Sequence, residues 1–243
     1  MKIIKLNAID STNSFLKELA QNSTLENFTV VSTENQTNGR GQLNSKWLSE
    51  PHKNLTFSIF IRFSSLEINH KKYLNFAISL AILEVLLDEK LSKLFIKWPN
   101  DIMSVNKKIC GILIENSIKG SKIKSSIVGI GLNVNQVTFR NSLKNVTSLK
   151  NETQKEYDLD VLLKKIITKI KEKTTLLNLK KFNILEKEYL NVLYKKNIPT
   201  MFKNNENVLF IGKIYGISKI GNLLIQLEND EIKEFGIKEI SFA

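Results

Sequence analysis

Apolar and polar positions along this chain repeat with two different periods, and the change from one to the other marks its elements. In "LTFSIFIRF" the apolar residues Leu55, Phe57, Ile59, Ile61 and Phe63 take every second position, which predicts a strand with one core face. In "YLNFAISLAILEVLLDEKL" the residues Leu74, Ala77, Ile78, Ala81, Ile82, Val85 and Leu86 recur at helical spacing, which predicts a core helix. "KIIKLNAI" suits a first strand and "FTVVSTENQ" is β-rich. "LFIKW", "KICGILIENSI" and "SIVGIGLNVN" predict three further strands, the last two separated by the turn "KGSK". Ser11 is placed to cap a helix over "STNSFLKELAQN", where Phe15, Leu16 and Leu19 share a face. Asp158 is placed to cap "LDVLLKKIITKIKEKTTLL", and "ILEKEYLNVLYKK" predicts another helix.

After "NIPT" the texture changes to short alternating runs broken by Gly and Asn-Asp turns, the signature of a small antiparallel barrel. The expected architecture is α+β: a mixed β-sheet backed by helices over residues 1–196, then a β-rich unit over 197–243, with the break near Lys196. One stretch resists both periods. The nineteen residues from Gln36 to Asn54 are polar, with both glycines near the front. A loop that long inside a compact domain is functional or disordered.

With 42% hydrophobic and 25% charged residues among 243, the composition is that of an ordinary soluble globular protein. No apolar run approaches the ~20 residues that span a bilayer. The N-terminus lacks the apolar core and cleavage site of a signal peptide, so a cytoplasmic location and no membrane partner are expected. A single cysteine, Cys110, excludes an internal disulfide, and two histidines leave little for a Cys/His metal site. The net charge of +12 admits nucleic acid or an acidic protein as partner. The lysines are scattered through a chain rich in asparagine and isoleucine, which favours the acidic protein.

Five short motifs carry candidate chemistry. In "NGRGQ" two glycines let the backbone approach an anion while Arg40 supplies charge. No Gly-Lys-Ser/Thr follows, so it is not a Walker A loop, and taken alone it favours a flexible surface loop over an anion site. Lys107 and Lys108 open the strand "KICGILIEN". Alternation puts Lys108 on one face with Cys110 and Ile112 and Lys107 on the other, and one of the two is positioned to stabilise a carboxylate attacking a phosphate. The glycines of "GIGLNVN" mark a close approach, to a planar ligand or to a packed helix. "STN", from Ser11 to Asn13, is explained by capping, yet a helix start also offers donors to a small carbonyl. Finally, "KWPND" breaks a strand, either as punctuation or to aim polar groups.

Taken in order, "STN", "ENQTNGRGQ…KW", "KWPND" with a lysine seven residues after its Asp, "CGILIE" and "GIGLNVN" resemble the biotin protein ligases. The resemblance runs through almost the whole chain, and it includes the family's small SH3-like C-terminal domain. It implies that biotin and ATP, with Mg²⁺, give biotinyl-5′-AMP. Biotin then passes to one lysine of a biotin carboxyl carrier domain of a biotin-dependent carboxylase. Carried over by motif, Ser11, Thr12 and Gln36 match the groups that read the ureido ring, with Asn13 beside them. Arg40 and Gly41, between Gly39 and Gln42, lie in the loop that folds over biotin and adenylate. Lys108 matches the lysine that bridges the biotin carboxylate and the α-phosphate. Gly111, Gly129 and Gly131 line the site, Asn100 and Asn133 match positions near the adenylate, Asp101 stands near the transfer site, and Trp47 forms an aromatic wall. Lys108, Arg40 and Asp101 are the catalytic candidates, and no protein metal cage is expected because nucleotide phosphates supply much of the coordination.

Two departures from the family pattern matter. Many members carry arginine immediately after "GRG", where this chain has Gln42, and some carry another where it has Ser45. The catalytic region also begins at Ser11, so the expectation is a ligase without a helix-turn-helix and without specific DNA binding. A homodimer is compatible with it. The alternatives are a lipoate protein ligase of the same superfamily and a basic nucleic-acid-binding protein.

Overall fold

The computed structural model describes residues 2–42, 45–91, 93–140, 143 and 145–243. Its larger sheet has seven strands: β1 (Ile3–Ile9), β2 (Val30–Gln36), β3 (Leu55–Glu67), β4 (Leu94–Lys97), β5 (Asp101–Ser104), β6 (Lys107–Lys119) and β7 (Lys122–Leu132). They lie in the order β1-β2-β3-β7-β6-β5-β4. Only β1 and β2 run parallel, so the sheet is mixed as expected.

The alternation in β3 decides which face holds what. Leu55, Phe57, Ile59 and Ile61 join the main core with Val128, Ile130 and Leu132 of β7. That core is closed by α2 (Lys71–Asp88), α4 (Leu159–Asn178) and α5 (Phe182–Asn191). Helix α2 is buried on nearly every side, from Leu74 and Phe76 to Leu86, which is why its apolar residues exceed one stripe. The opposite face of the sheet carries α1 (Thr12–Asn22), whose Leu16 packs with Val31, Phe60 and Ile127. The rest of that face is left polar or glycine-bearing.

Ser11 and Asp158 cap α1 and α4 as expected: Ser11 accepts from the Ser14 N–H, and Asp158 from those of Asp160 and Val161. Two elements were not foreseen. Strand β5 is four residues long, and helix α3 (Leu149–Thr153) five. The run after Trp98 is therefore not a strand end alone. Asn100 closes a turn, Asp101 opens a new strand, and a two-residue turn at Val105–Asn106 leads into β6.

Beyond residue 196 a second sheet forms from β8 (Thr200–Asn204), β9 (Leu209–Ile217), β10 (Leu223–Leu227), β11 (Ile232–Phe235) and β12 (Ile240–Phe242). It is antiparallel, in the order β11-β10-β9-β8-β12. Among the described residues no pairing of β11 with β12 closes it into a barrel. Its Phe202, Ile214, Ile217, Leu223 and Ile225 belong to the same buried cluster as the large sheet. Its β9–β10 turn reaches back to the motif turn, where the Trp98 indole donates to the Gly221 carbonyl at 3.0 Å.

Candidate functional site

The polar face of the large sheet forms a cleft of about 210 Å³ between α1, the loop after β2, and the β5–β6 hairpin. Its floor is cut low by glycine. A Cβ at Gly129 would overlap the Asn13 side chain, and one at Gly131 would lie 2.7 Å from the Trp47 indole nitrogen. At Gly111 it would meet the same indole at 3.0 Å and the Lys108 ammonium at 3.2 Å. A planar ring does rest on these strands, as the sequence suggested for a ligand, and in this structure the ring is the protein's own Trp47. Its Nε1 is buried against the floor at Gly131, without a hydrogen-bond partner among the described residues.

One end of the cleft is built from hydroxyls and amides. The Thr12 N–H donates to Gln36 Oε1 at 3.0 Å. Ser58 Oγ lies 2.7 Å from Thr12 Oγ1 and 2.6 Å from Asn13 Oδ1. An amide oxygen only accepts, so the single Ser58 proton goes to Asn13 and Thr12 is left to donate. The orientation of the Asn13 amide is fixed because its Nδ2 donates to Glu115 at 2.9 Å. Groups held this way suit a small polar head that both donates and accepts.

The other end is ionic. Lys108 Nζ and Asp101 Oδ1 are 2.7 Å apart, both partly buried. Strict alternation would have turned Lys108 toward the core with Cys110 and Ile112, and this expectation is corrected by a β-bulge. Ile102 pairs with Cys110, but Met103 pairs with Lys108, so Ile109 is an extra residue in β6. It enters the core beside Cys110, and Lys108 is returned to the face of Gly111. Lys107, one residue away, is exposed. Burial pushes the Cys110 thiol well above its ordinary range. Burial also lowers Lys97, at the end of β4, against the attraction of Asp101.

The roof is the loop from Gly39 to Trp47, of which Leu43 and Asn44 lie outside the described residues. Trp47 N–H donates to the Gly39 carbonyl and Gly41 N–H to that of Ser45, with Arg40 and Lys46 bridged across. Arg40 leans over the floor to Glu115 at 2.9 Å.

Most sequence-predicted residues meet here: Ser11, Thr12, Asn13 and Gln36 at the amide end, Arg40, Gly41, Gln42 and Trp47 in the roof. Asn100, Asp101, Lys108, Gly111, Gly129 and Gly131 complete the set. Two do not line the cleft. Gly39 is structural, because a Cβ there would overlap the Gln36 amide and the Trp47 backbone. Asn133 is buried behind the bulge. Its N–H donates to the Ile109 carbonyl and its Nδ2 to that of Thr147, whose own N–H donates to the Lys108 carbonyl. It bolts the bulge in place. Ser58, Thr56 and Glu115 were missed, although each alternates with apolar or glycine positions of a strand, which was the available signal.

Fold and cleft together define a class: a mixed sheet with a glycine-cut floor, an amide-and-hydroxyl end and an ionic end under a loop. The comparison with protein families agrees. The family model described as the Biotin/lipoate A/B protein ligase family matches residues 6–133, more than half of the chain, and the chain belongs to that family. It is 32% identical over 159 residues to the bifunctional ligase/repressor BirA of Bacillus spizizenii, covering 64% of this chain and 48% of that protein. A biotin--[acetyl-CoA-carboxylase] ligase of Paracoccus denitrificans is 32% identical over 127 residues, 51% of each chain. This chain thus spans about half the length of the curated relatives it matches. A solved structure of biotin protein ligase from Aquifex aeolicus, in complex with biotin and ATP, superposes with a TM-score of 0.81. It is 30% identical, and the match covers 100% of this chain and 98% of that one.

Proposed function

We propose that this chain activates biotin with ATP as biotinyl-5′-AMP and transfers the biotinyl group to a lysine of a biotin carboxyl carrier domain. The observation that carries this reading is the Lys108–Asp101 pair, turned by a bulge onto the glycine floor at the far end from the amide cluster. Biotin's ureido ring both donates and accepts, which suits the Thr12, Asn13, Ser58 and Gln36 end. Its carboxylate then lies toward Lys108. Attack of that carboxylate on the α-phosphorus of ATP forms a C(O)–O–P bond and releases pyrophosphate. Two anions must meet for this to happen, so a cation fixed beforehand lowers the barrier. Lys108 is that cation, held by Asp101, with Arg40 and Lys46 above. In the second step a carrier lysine attacks the acyl carbon and AMP leaves. The mixed anhydride is labile to water, which gives the roof over Trp47 its purpose.

Asp101 is the one carboxylate lining the cleft, and among the described residues no group of three or more His, Cys, Asp or Glu could hold a metal ion. The residues do not form a cage for Mg²⁺. We assign it to the incoming nucleotide, as MgATP, and attribute no step to it. The division at Lys196 leaves all the cleft residues in 1–196, with 197–243 supporting them. Sequence-specific DNA binding is no part of the proposal. Among the described residues no helix is long and apolar enough to cross a membrane. A cytoplasmic site of action, where ATP and carrier are available, is part of the proposal.

The test is incubation with MgATP and a recombinant apo carrier domain, offering biotin or lipoate in separate reactions. Intact mass should show one biotinyl group on one carrier lysine. Transfer of lipoate in preference to biotin, or of neither, overturns the reading.

A further inference from the structure

Glu115 sits on the cleft face of β6, and one of its oxygens ties together the two elements that frame the cleft. Oε2 accepts from Arg40 of the roof loop at 2.9 Å and from Asn13 Nδ2, at the start of α1, at 2.9 Å. Oε1 faces Lys17, one turn further along α1, at 3.7 Å. The side chain is only 25% exposed, so these contacts are partly shielded from solvent. Asn13 cannot simply drift away: it is pressed against Gly129, where any Cβ would displace it, and its oxygen is held by Ser58.

We propose that Glu115 is a positioning residue for ligation. It latches the Gly39–Trp47 loop, through Arg40, and the α1 start, through Asn13, to one point on β6. The inference rests on the ligase reading above. The carboxylate that lines the cleft, Asp101, is engaged by Lys108, and Glu115, beside the cleft on β6, is the anchor that Arg40 reaches. One carboxylate oxygen receiving both donors means the loop and the ureido-reading end are set together. When the roof is latched, Trp47 lies over the glycine floor and water is kept from an acyl-adenylate. When it is not, the intermediate is released. The latch therefore acts on retention of the intermediate more than on its formation.

Two variants test this. Glu115→Gln keeps an acceptor for Asn13 and removes the charge that holds Arg40. Glu115→Ala removes both. The first readout needs no ligand: limited trypsin digestion, following by mass the cuts after Arg40 and Lys46, with thermal melting as the control for folding. Cutting in the loop should be about two- to fivefold faster in Glu115→Gln, in keeping with a partly exposed ion pair. The second readout is chase of preformed labelled adenylate, which should leave Glu115→Gln faster by a similar factor while its rate of formation changes less. Unchanged loop cleavage in both variants overturns the latch, and faster cleavage with unchanged release overturns its role in the reaction. A wild-type chain that forms no adenylate at all overturns the ligase reading instead, and the cleavage comparison still decides the latch.

Discussion

Lys108 and Asp101 meet at 2.7 Å across a hairpin whose two arms are unequal by one residue. Without Ile109 as the extra residue, the ammonium would point into the core. The consequence is a sharp difference between neighbours. Lys108→Ala should slow adenylation by about ten- to a few-hundredfold, the loss of one charge-assisted contact worth roughly 1.5–3 kcal/mol. Lys107→Ala, at an exposed position, should change it less than about twofold. Pyrophosphate exchange measures both, and equal losses would mean that the wrong lysine has been chosen.

Gly131 carries no positive φ, so alanine is acceptable to the backbone there, and the cost falls on the indole above it. Gly131→Ala should displace Trp47 and weaken biotin activation by about tenfold or more, the scale of overpacking a closed contact. The chain should still fold. Trp47 fluorescence in a Trp98→Phe background should shift as well; an unmoved spectrum with full activity would show that the ring does not rest on Gly131 in solution.

Gln42 lines the cleft at the position where the family pattern set out above leads one to expect arginine. Its amide still donates, but it brings no charge to a phosphate. The wild-type chain should release biotinyl-adenylate faster than Gln42→Arg, with formation changed less. Indistinguishable release in a chase with unlabelled biotin and ATP would make Gln42 incidental and leave the loop to Arg40 and its partner.

Val105 holds φ at 56° in the two-residue turn between β5 and β6. A β-branched residue is strained there, and a two-residue turn with only its first φ positive favours glycine at that position. Val105→Gly should raise stability by about 1 kcal/mol in denaturant unfolding. No gain would show that the turn relaxes differently from the geometry described.

Much of this was legible in the residues. The period-2 run of β3 and the helical run of α2 placed core and sheet, and Ser11 and Asp158 marked their helices. Strand β5 was hidden because four residues after a proline carry too little pattern to distinguish strand from turn. The bulge was hidden because alternation describes a regular ladder, while the extra residue is set by tertiary bonds from Asn133 and Thr147 to the carbonyls of Ile109 and Lys108. Asn133, expected near the adenylate by motif, does not line the cleft, and its bonds to the carbonyls of Ile109 and Thr147 could not be read from a motif, which gives a position in the chain and not the direction of a side chain. Ser58 and Glu115 belong to none of the motifs, and alternation alone does not distinguish a solvated polar face from one that lines a cleft.

The bond from Trp98 to Gly221 has a mechanical meaning. The turn that presents Asn100 and Asp101 is braced from outside by the C-terminal sheet, whose buried side chains are continuous with the main core. Loosening that sheet at any distance from the cleft slackens the brace. The last stretch of the chain therefore works as a buttress: it supplies no group to the cleft lining, yet through one indole it adds a hold on the turn that leads into Asp101.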